Sequence, residues 1–456
     1  MPRPEQSAIA VRIYASSVAK LHALDELGKL DLHRRAAKQE SPRRFVIPGL
    51  LSQAQIRKVR QAGYRVEVVH RVATVAAERR RQLAPPARRR ARARLAATAA
   101  VAETVDGYLT PEGVEEAIAG LRDAHSGLVE LIQAPEPTHE GRVSGILRIR
   151  GANPALPPAT DRVGVLFTGS MHAREWGGSD ICVAFATRLL DAFAAGGPLR
   201  FGNRVYSQPQ VRKILSTLDL FVFPDVNPDG KAYSQTQQLL WRKNRNPNNS
   251  ARPATQGVDN NRNFDFLWSS GIGSSQNRSD ETFRGAAAFS EPETRNVKHL
   301  FDTFPNIRYY LDIHSFGKLI LYCWGDDDNQ SNDPIQNFGN AAFEGARGVV
   351  GDSAYREFID AADETELRRL ADGMNAALSA VRGNPYTVQQ AVGLYATSGG
   401  SDDYVFSRHI VDPARPKVYG FTIEFGEEFV PPYEEMRNII DEVAAAMTEL
   451  CRMAAS

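Results

Sequence analysis

His172 and Glu175 stand three residues apart in "TGSMHAREWGGSD", directly after the apolar run "VGVLF". A catalytic zinc commonly takes three protein ligands from His, Asp and Glu and leaves one position for water. The pair alone is a weak signal, because His and Glu occur at this spacing by chance in many chains. His314, which ends the apolar run "YYLDIH", could be the third ligand. Two imidazoles and one carboxylate would then form a hydrolytic zinc site.

The segments around these residues indicate how they could meet. From about Asp106 onward, candidate strands alternate with candidate helices, as in a mostly parallel sheet. Ligand sites of such folds lie beyond the carboxyl ends of the strands, where the strand order reverses. His172 follows one candidate strand and His314 ends another, so both are expected at that end. We predict an α/β fold for residues 105–456, with a central mixed, mostly parallel β-sheet flanked by helices.

Residues 1–75 predict a second, smaller domain. "IAVRIYA", "RRFVIPGL" and "YRVEVVHRVAT" are strand candidates, and "SVAKLHALDEL" and "SQAQIRKVRQAG" have helical spacing. This order favours a small α/β open sandwich, with helices on one face of the sheet. Residues 1–95 hold 22 Lys and Arg against 7 Asp and Glu, a balance of +15, and the remainder has a balance of −14. Parts of opposite charge can attract each other or attract separate partners.

An Arg-, Ala- and Pro-rich connector, residues 76–104, joins the two domains and includes "AAERRRQLAPPARRRARARLAATAA". One interpretation is a solvated linker or helical connector. The alternatives are a protease-sensitive activation segment and a nucleic-acid-binding patch. No aromatic residue stands among the arginines to stack on bases, so we expect no nucleic acid partner.

Composition excludes several other classes. With 42% hydrophobic and 24% charged residues, the 456-residue chain is ordinary for a soluble globular protein with a sizeable core. No apolar run approaches the roughly 20 residues that span a bilayer, so no membrane association is expected. Cys182, Cys323 and Cys451 are too few for a disulfide framework, and we expect them to be free and mostly buried. The N-terminus lacks the apolar core of a signal peptide, which predicts a cytoplasmic protein unless a signal was removed or export is unconventional.

Further motifs follow the zinc motif in a fixed order: "LWRKNRNP", "GVDNNRNFD", "RGAAAFSEPET", "LDIHSF", "GLYATSGGSDDY" and "YGFTIEFG". Together they resemble the zinc metallocarboxypeptidases of the carboxypeptidase A/B family, over roughly residues 105–450. Such an ordered series does not arise by chance. The remaining histidines are expected to be structural or surface residues: His22, His33, His70, His125, His139, His299 and His409.

The resemblance implies a role for each matching position. One zinc ion would be held by His172, Glu175 and His314. Glu424 would act first as general base and then as general acid, taking a proton from the attacking water and delivering it to the leaving amine. Arg242 would stabilise the negative charge that develops on the oxygen of the peptide carbonyl.

The other matching positions would bind the substrate or support a ligand. Asn261, Arg262 and Tyr395 would grip the C-terminal carboxylate, which a planar guanidinium can bind in bidentate fashion. Arg174, inside the zinc motif, is a further substrate-binding candidate. Asp259 would accept a hydrogen bond from the far nitrogen of a zinc-binding histidine. The alternative for Asp259 is a turn-forming role.

Asp402 matches the position at the base of the family's specificity pocket. Members similar to carboxypeptidase B carry Asp there and prefer C-terminal Lys or Arg, whereas members similar to carboxypeptidase A carry an apolar residue. A buried carboxylate attracts a cation and rejects an acid, so a basic C-terminal residue is expected. Hydrophobic residues could be tolerated, since Leu321, Gly325 and Thr422 do not close the pocket. Asp312, on the strand face of the third zinc ligand, could line this pocket or support that ligand.

Resemblance to procarboxypeptidases implies that residues 1–75 are a propeptide over the active site. A trypsin-like protease would cut the connector and release it. The alternative is a permanent accessory domain. Two positions depart from the animal enzymes: Phe316 stands where Tyr is usual, and "EFGEE" replaces "ELRD" around the catalytic Glu. Both affect the expected subsite preferences and neither changes a catalytic role.

Two other functions stay open at this point. A bacterial cell-wall peptidase of the same superfamily would cut stem peptides that contain diaminopimelate, and Asp402 would bind the diaminopimelate amine. A non-catalytic peptide-binding protein could keep the fold, but the complete set of zinc ligands with Glu424 and Arg242 argues against it. The first interpretation is an enzyme that acts on the C-termini of peptides or proteins.

Overall fold

A computed structural model describes residues 7–84, 107–150, 162–248, 250–252, 255–393 and 395–456. The strands are β1 Ile9–Ala15, β2 Asp31–Leu32, β3 Lys38–Ser41, β4 Arg44–Leu51, β5 Arg65–Arg71, β6 Val129–Gln133, β7 Gly145–Ile149, β8 Val163–Gly169, β9 Leu199–Phe201, β10 Arg204–Tyr206, β11 Leu218–Phe223, β12 Ile307–Ser315, β13 Leu319–Tyr322, β14 Asn329–Gln330, β15 Glu357–Phe358, β16 Thr387–Gln390 and β17 Tyr419–Phe425.

The helices are α1 Val18–His22, α2 Gln53–Gln61, α3 Val72–Arg81, α4 Pro111–Ala124, α5 Gly177–Ala194, α6 Gln208–Thr217, α7 Pro228–Thr236, α8 Pro292–Thr303, α9 Ala361–Arg382, α10 Ser401–Val411 and α11 Tyr433–Ala454. Of the predicted connector, residues 76–81 belong to α3, and residues 85–104 lie outside the described residues. None of the described helices combines the length and the apolar character that a membrane span requires.

The N-terminal domain contains one antiparallel sheet, in the order β2-β4-β1-β5, with β3 paired to β4. Burial alternates along β1, as expected for a strand with one face on a core. A capping box between Ser52 and Gln55 begins α2. The short strands β2 and β3 were not predicted, because β2 has two residues and β3 is fully exposed and has no apolar alternation.

The larger domain is built around an eight-stranded sheet in the order β16-β13-β17-β12-β8-β11-β7-β6. Its four central strands, β17, β12, β8 and β11, run parallel to one another. β13 and β7 pair antiparallel to the outer two of these. The predicted α/β class with a central mixed sheet is therefore confirmed.

Helices bury the central strands of this sheet. α5 and α11 pack against β8, α10 packs against β12 and β17, and α9 packs against β13 and α11. Six of the seven residues of β8 are buried, which is why it is a continuous apolar run rather than an alternating one. All three cysteines are free and buried, as predicted.

The strand order reverses at β8. Along the sheet, β11 lies on one side of β8 and β12 lies on the other, so the loops after these strands diverge and leave a crevice at their carboxyl ends. At this point α5 begins directly against the strand: a Cβ added to Gly169 would lie 2.8 Å from the carbonyl oxygen of Gly178. The turn between β8 and α5 is thereby fixed at the crevice, and it carries the first predicted zinc ligands.

Candidate active site

Three predicted zinc ligands lie together at the carboxyl ends of β8 and β12. His172 and Glu175 belong to the turn between β8 and α5, and His314 is on β12. All three are buried, and one ligand atom from each lies within 4.8 Å of the others. His172 Nδ1 lies 2.9 Å from Glu175 Oε1, and His314 Nδ1 lies 2.9 Å from Glu175 Oε2. The two Nδ1 atoms lie 3.0 Å from each other.

A carboxylate behind each imidazole determines which ring nitrogen carries the proton. His172 Nε2 lies 3.2 Å from Asp259 Oδ1, and His314 Nε2 lies 2.8 Å from Asp312 Oδ2. Because a carboxylate accepts hydrogen bonds, both Nε2 atoms donate, and the Nδ1 lone pairs point toward Glu175. Two lone pairs and a buried carboxylate at these distances repel one another unless a cation lies among them. The residues therefore fit a zinc ion with two histidine ligands and one glutamate ligand.

The charges around this cluster also favour a cation. Burial lowers the pKa of His172, and the charge of Arg242 lowers it further, which favours the neutral ring that a metal ligand requires. Burial acts to lower the pKa of His314 too, but the charges of Asp312 and Glu175 outweigh burial and raise it well above its ordinary value, so this position favours positive charge, which a metal ion on Nδ1 can supply in place of a proton. The pKa of Glu175 is lowered against the effect of burial, because positive charge and hydrogen-bond donors on the imidazole side stabilise the carboxylate, as a metal ion there would.

Asp312 supports His314, which was one of the two roles predicted for it. Besides the imidazole, its carboxylate accepts hydrogen bonds from Thr168 Oγ1 at 2.7 Å and from Ser401 Oγ at 2.8 Å. The side chain is fully buried. It is not among the described residues that line the neighbouring cavity.

Glu424 lies beside the third ligand. Strands β12 and β17 pair in parallel, and His314 is directly opposite Glu424 in their register. The Glu424 side chain lines the same cavity as His172 and Glu175. A carboxylate that borders both the cluster and the cavity can take a proton from water there.

Arg242 is held next to the cluster by Asp259. Its Nε and Nη2 donate to Asp259 Oδ2 at 3.0 and 2.9 Å, and its Nη1 lies 3.2 Å from His172 Nδ1. Its carbonyl oxygen accepts a hydrogen bond from the backbone of Ala173 at 2.9 Å. Asp259 thus orients both an imidazole and a guanidinium, and the positive charge of Arg242 is in place before any oxyanion forms.

Arg174 enters the cavity, which has a volume of about 810 Å³ and lies between the two domains. Its guanidinium lies 4.0 Å above the ring of Phe429, and its Nη1 is 3.9 Å from both Asp31 and Glu281. Glu281 lines the same cavity and was not predicted, because "SDETF" has no distinctive spacing. Only the folded chain shows that this carboxylate faces a predicted substrate-binding arginine.

Two residues predicted to bind the terminal carboxylate have different surroundings. Arg262 lines the cavity, where its Nε donates to Gly273 O and its Nη1 donates to Asn261 O. The side chain of Asn261 is fully buried, and its Oδ1 accepts a hydrogen bond from the backbone of Ser401 at 2.8 Å. Of these two side chains, the described cavity wall includes only that of Arg262.

Tyr395, the third of these residues, packs into the core of the N-terminal domain. Its hydroxyl donates to Leu21 O at 3.4 Å, its ring centroid is 4.9 Å from that of His22, and the Arg34 guanidinium lies 5.7 Å from the ring. Burial raises the pKa of its hydroxyl. The structure therefore does not bring Tyr395 to the zinc-ligand cluster.

Asp402 lies in the first turn of α10 and is fully buried. Its Oδ2 accepts a hydrogen bond from Thr422 Oγ1 at 2.9 Å, and its Oδ1 accepts one from the backbone of Asp403 at 3.1 Å. The described cavity wall includes Ala396 and Thr397 but not Asp402. In this arrangement the carboxylate is behind the wall of the cavity rather than on it.

Comparison with solved structures shows the same fold over both domains. Carboxypeptidase A from Helicoverpa armigera matches with a TM-score of 0.74 at 20% sequence identity, covering 99% of this chain and 98% of that chain. Thrombin activatable fibrinolysis inhibitor matches with a TM-score of 0.70 at 17% identity, covering 98% and 99%. Both matches include the N-terminal domain, and at these identities they are evidence for the fold alone.

Sequence comparison gives the family. Carboxypeptidase B of Astacus astacus is 29% identical over 289 residues, which are 63% of this chain and 76% of that protein. Carboxypeptidase B of Helicoverpa zea is 32% identical over 234 residues, 50% of this chain and 49% of that protein. The family model described as zinc carboxypeptidase matches residues 114–446. Because that match covers more than half of the chain, the protein belongs to the zinc carboxypeptidase family.

Proposed function

We propose that this protein removes the C-terminal residue of peptides or proteins as a zinc-dependent carboxypeptidase. The observation that carries the proposal is the convergence of His172, Glu175 and His314 at one end of the sheet, with Glu424 and Arg242 beside them on one cavity. Zinc, the cofactor of the family, supplies Lewis-acid chemistry when bound, polarising the peptide carbonyl and acidifying a water molecule. The relatives named carboxypeptidase B support the same reaction.

Each nearby side chain then has a defined task. Glu424 takes the proton of the attacking water and delivers it to the leaving amine. Arg242, oriented by Asp259, donates to the carbonyl oxygen as negative charge develops there. Arg262 binds the terminal carboxylate through its planar guanidinium. Tyr395 completes this grip only after it leaves the core of the N-terminal domain.

We also propose that Asp402 gives a preference for C-terminal Lys or Arg. Its carboxylate is fully buried and is held by Thr422 Oγ1 at 2.9 Å. A cationic side chain that reaches it would be attracted strongly in a region with little water, and an acidic one would be repelled. Because the Asp402 carboxylate lies behind the cavity wall, this wall must shift, on its own or when the substrate side chain enters, before that side chain can reach the carboxylate.

The N-terminal domain is proposed to restrain the enzyme until the connector is cut. Three of its contacts support this: Tyr395 packs in its core, the His33 ring packs edge-on against Phe429, and Lys29 Nζ donates to Asp280 at 2.6 Å. The opposite charges of residues 1–95 and of the remainder also favour docking. Cleavage by a trypsin-like protease in the Arg-rich connector would remove these contacts.

The proposal is tested with peptides that differ only in a final Arg, Phe or Glu, assayed before and after limited trypsin treatment. We expect release of the last residue, fastest for Arg, with a rise after cleavage. No release in either state would overturn the carboxypeptidase proposal, and equal rates in both states would overturn only the restraint. Muropeptides ending in diaminopimelate, assayed in parallel, distinguish the cell-wall alternative.

A further inference from the structure

A second group of ligand-type side chains lies outside the active site. His139, in the loop between β6 and β7, meets Glu291 and Glu293 at the start of α8. One ligand atom from each lies within 4.8 Å of the others, and His139 Nε2 is 3.0 Å from Glu291 Oε2. Both glutamates are fully buried, whereas the imidazole is 25% exposed. An ion could therefore enter from the side of the histidine.

Hydrogen bonds orient the two carboxylates from behind. Asn244 Nδ2 donates to Glu291 Oε2 at 2.7 Å and to Glu293 Oε2 at 2.9 Å. Asn246 Nδ2 donates to Glu291 Oε2 at 2.9 Å, and Ser290 Oγ donates to Glu291 Oε1 at 2.7 Å. Partners of this kind are typical of carboxylates that bind metals. The second oxygen of Glu293, Oε1, is buried and has no hydrogen-bond partner among the described residues.

The charges in this group are not balanced by Lys or Arg. In the part of the chain that the structure describes, neither carboxylate forms an ion pair with a Lys or Arg, and His139 is the only ion-pair partner of Glu291. Arg295, on the same helix, pairs with Glu136 instead. Two buried carboxylates with one imidazole are costly without a further cation. A divalent ion would neutralise both and would give Glu293 Oε1 a partner.

We propose that His139, Glu291 and Glu293 form a second, structural site for a divalent transition-metal ion of the zinc type. One imidazole with two carboxylates suits zinc better than calcium or magnesium, which prefer oxygen ligands alone. None of the three lines the described part of the active-site cavity. The sequence predicts only a structural or surface role for His139, because its two partners are about 150 positions away along the chain.

An ion at this site would brace the loop that joins two active-site residues. Asn244, which donates to both glutamates, also accepts a hydrogen bond from the backbone of Val258 through Oδ1 at 2.8 Å. Its own backbone N–H donates to Val258 O at 3.0 Å. Asn244 is two residues after Arg242, and Val258 directly precedes Asp259. The ion would thus hold both ends of this loop in place, without contact with the substrate.

The test is the number of zinc ions per protein, measured by elemental analysis after exhaustive dialysis. We expect two for the full chain, one for His139→Ala, one for His172→Ala/His314→Ala, and none for the combination of all three substitutions. His299→Ala is the matched control, because this histidine is exposed on α8, the helix of Glu293, and belongs to neither cluster. It should keep two.

A second measurement protects the test against misfolding of the buried variants. Added Zn²⁺ should raise the Tm of His172→Ala/His314→Ala by several degrees and should leave the triple variant unchanged. The proposal is wrong if His139→Ala keeps two zinc ions. It is also wrong if the variant with all three substitutions still binds the zinc ion that His172→Ala/His314→Ala retains. Binding of Ca²⁺ in preference to Zn²⁺ would overturn the metal class. No readout uses peptidase activity, so these outcomes do not depend on the proposed function.

Discussion

The zinc-ligand half of the active site and its substrate-binding half differ in what holds them. His172, Glu175 and His314 come from one turn and one neighbouring strand, and carboxylates of the same domain orient both rings. Tyr395 instead contacts Leu21 of the N-terminal domain. Metal binding is therefore expected to need only the larger domain, whereas under the proposed function a complete grip on the substrate needs the N-terminal domain to leave. Substitutions in the two halves should therefore impair different properties, metal binding or catalysis in the first and substrate binding in the second.

The largest expected effect comes from Glu424→Gln. The amide cannot take a proton from water, so kcat should fall about 1000-fold, within the range for loss of a general base. Zinc content should not change, because Glu424 is not one of the proposed ligands. The measurements are kcat on a trypsin-treated sample and zinc per protein. Glu427→Gln is the control, since that carboxylate is exposed and pairs with Lys318. A loss of zinc together with activity would contradict the assigned role.

Asp402→Asn should change which substrates are cut rather than the chemistry. Without the buried negative charge, kcat/KM for a peptide ending in Arg should fall about 100-fold, while that for a peptide ending in Phe should stay within about threefold. Asp403→Asn is the control for loss of a neighbouring buried charge. The Asp403 carboxylate is also fully buried, and it accepts a hydrogen bond from the backbone N–H of Gly325. A preference for Phe in both the parent chain and Asp402→Ala would exclude the specificity proposal.

Local patterns explain how much of the fold could be predicted. The apolar run of β8 and the helix spacing of α5 follow from burial within a few neighbouring residues, so both were placed within a few positions. The antiparallel strands β6 and β7 were missed. They lie at one edge of the sheet, and β6 is only partly buried and lacks a clear alternation.

The same reasoning applies to the site. His172 and His314 could be placed in advance because His172 follows one apolar strand and His314 lies at the end of another, and parallel strands bring such ends together. The position of Tyr395 could not be predicted, since it depends on how one domain docks on another. Nor could the meeting of His139 with Glu293, because two unremarkable segments far apart in sequence supply the ligands.

Asp312→Asn should weaken zinc binding in the same way with or without the N-terminal domain. The amide removes the negative charge that His314 Nε2–H faces at 2.8 Å, so zinc affinity should fall about 10- to 100-fold. A chelator competition, run before and after trypsin treatment, measures it. Asp363→Asn, whose carboxylate pairs with Lys417, is the control. An effect present only in the uncleaved chain would contradict the independence of the zinc-ligand half.

The smallest expected effect concerns His33, which the N-terminal domain inserts between Phe316 and Phe429. Its side chain is buried, and neither ring nitrogen has a hydrogen-bond partner among the described residues. Burial lowers its pKa well below the ordinary value, and the charges of Arg174 and Arg242 lower it further. The charges of Glu175 and of Asp31, whose Oδ1 is 4.0 Å from Nε2, do not offset this.

A histidine with a lowered pKa in the folded protein favours folding while it is neutral. The stability from His33 is therefore fully present above its ordinary pKa of about 6.5 and is lost as the pH falls below that value. Between pH 7.5 and 5.5 the free energy of unfolding should decrease by about 1 kcal/mol more in the parent chain than in His33→Leu. Urea titrations at both pH values measure this difference. An equal decrease in both proteins would mean that His33 takes up a proton without disturbing the contact between the domains.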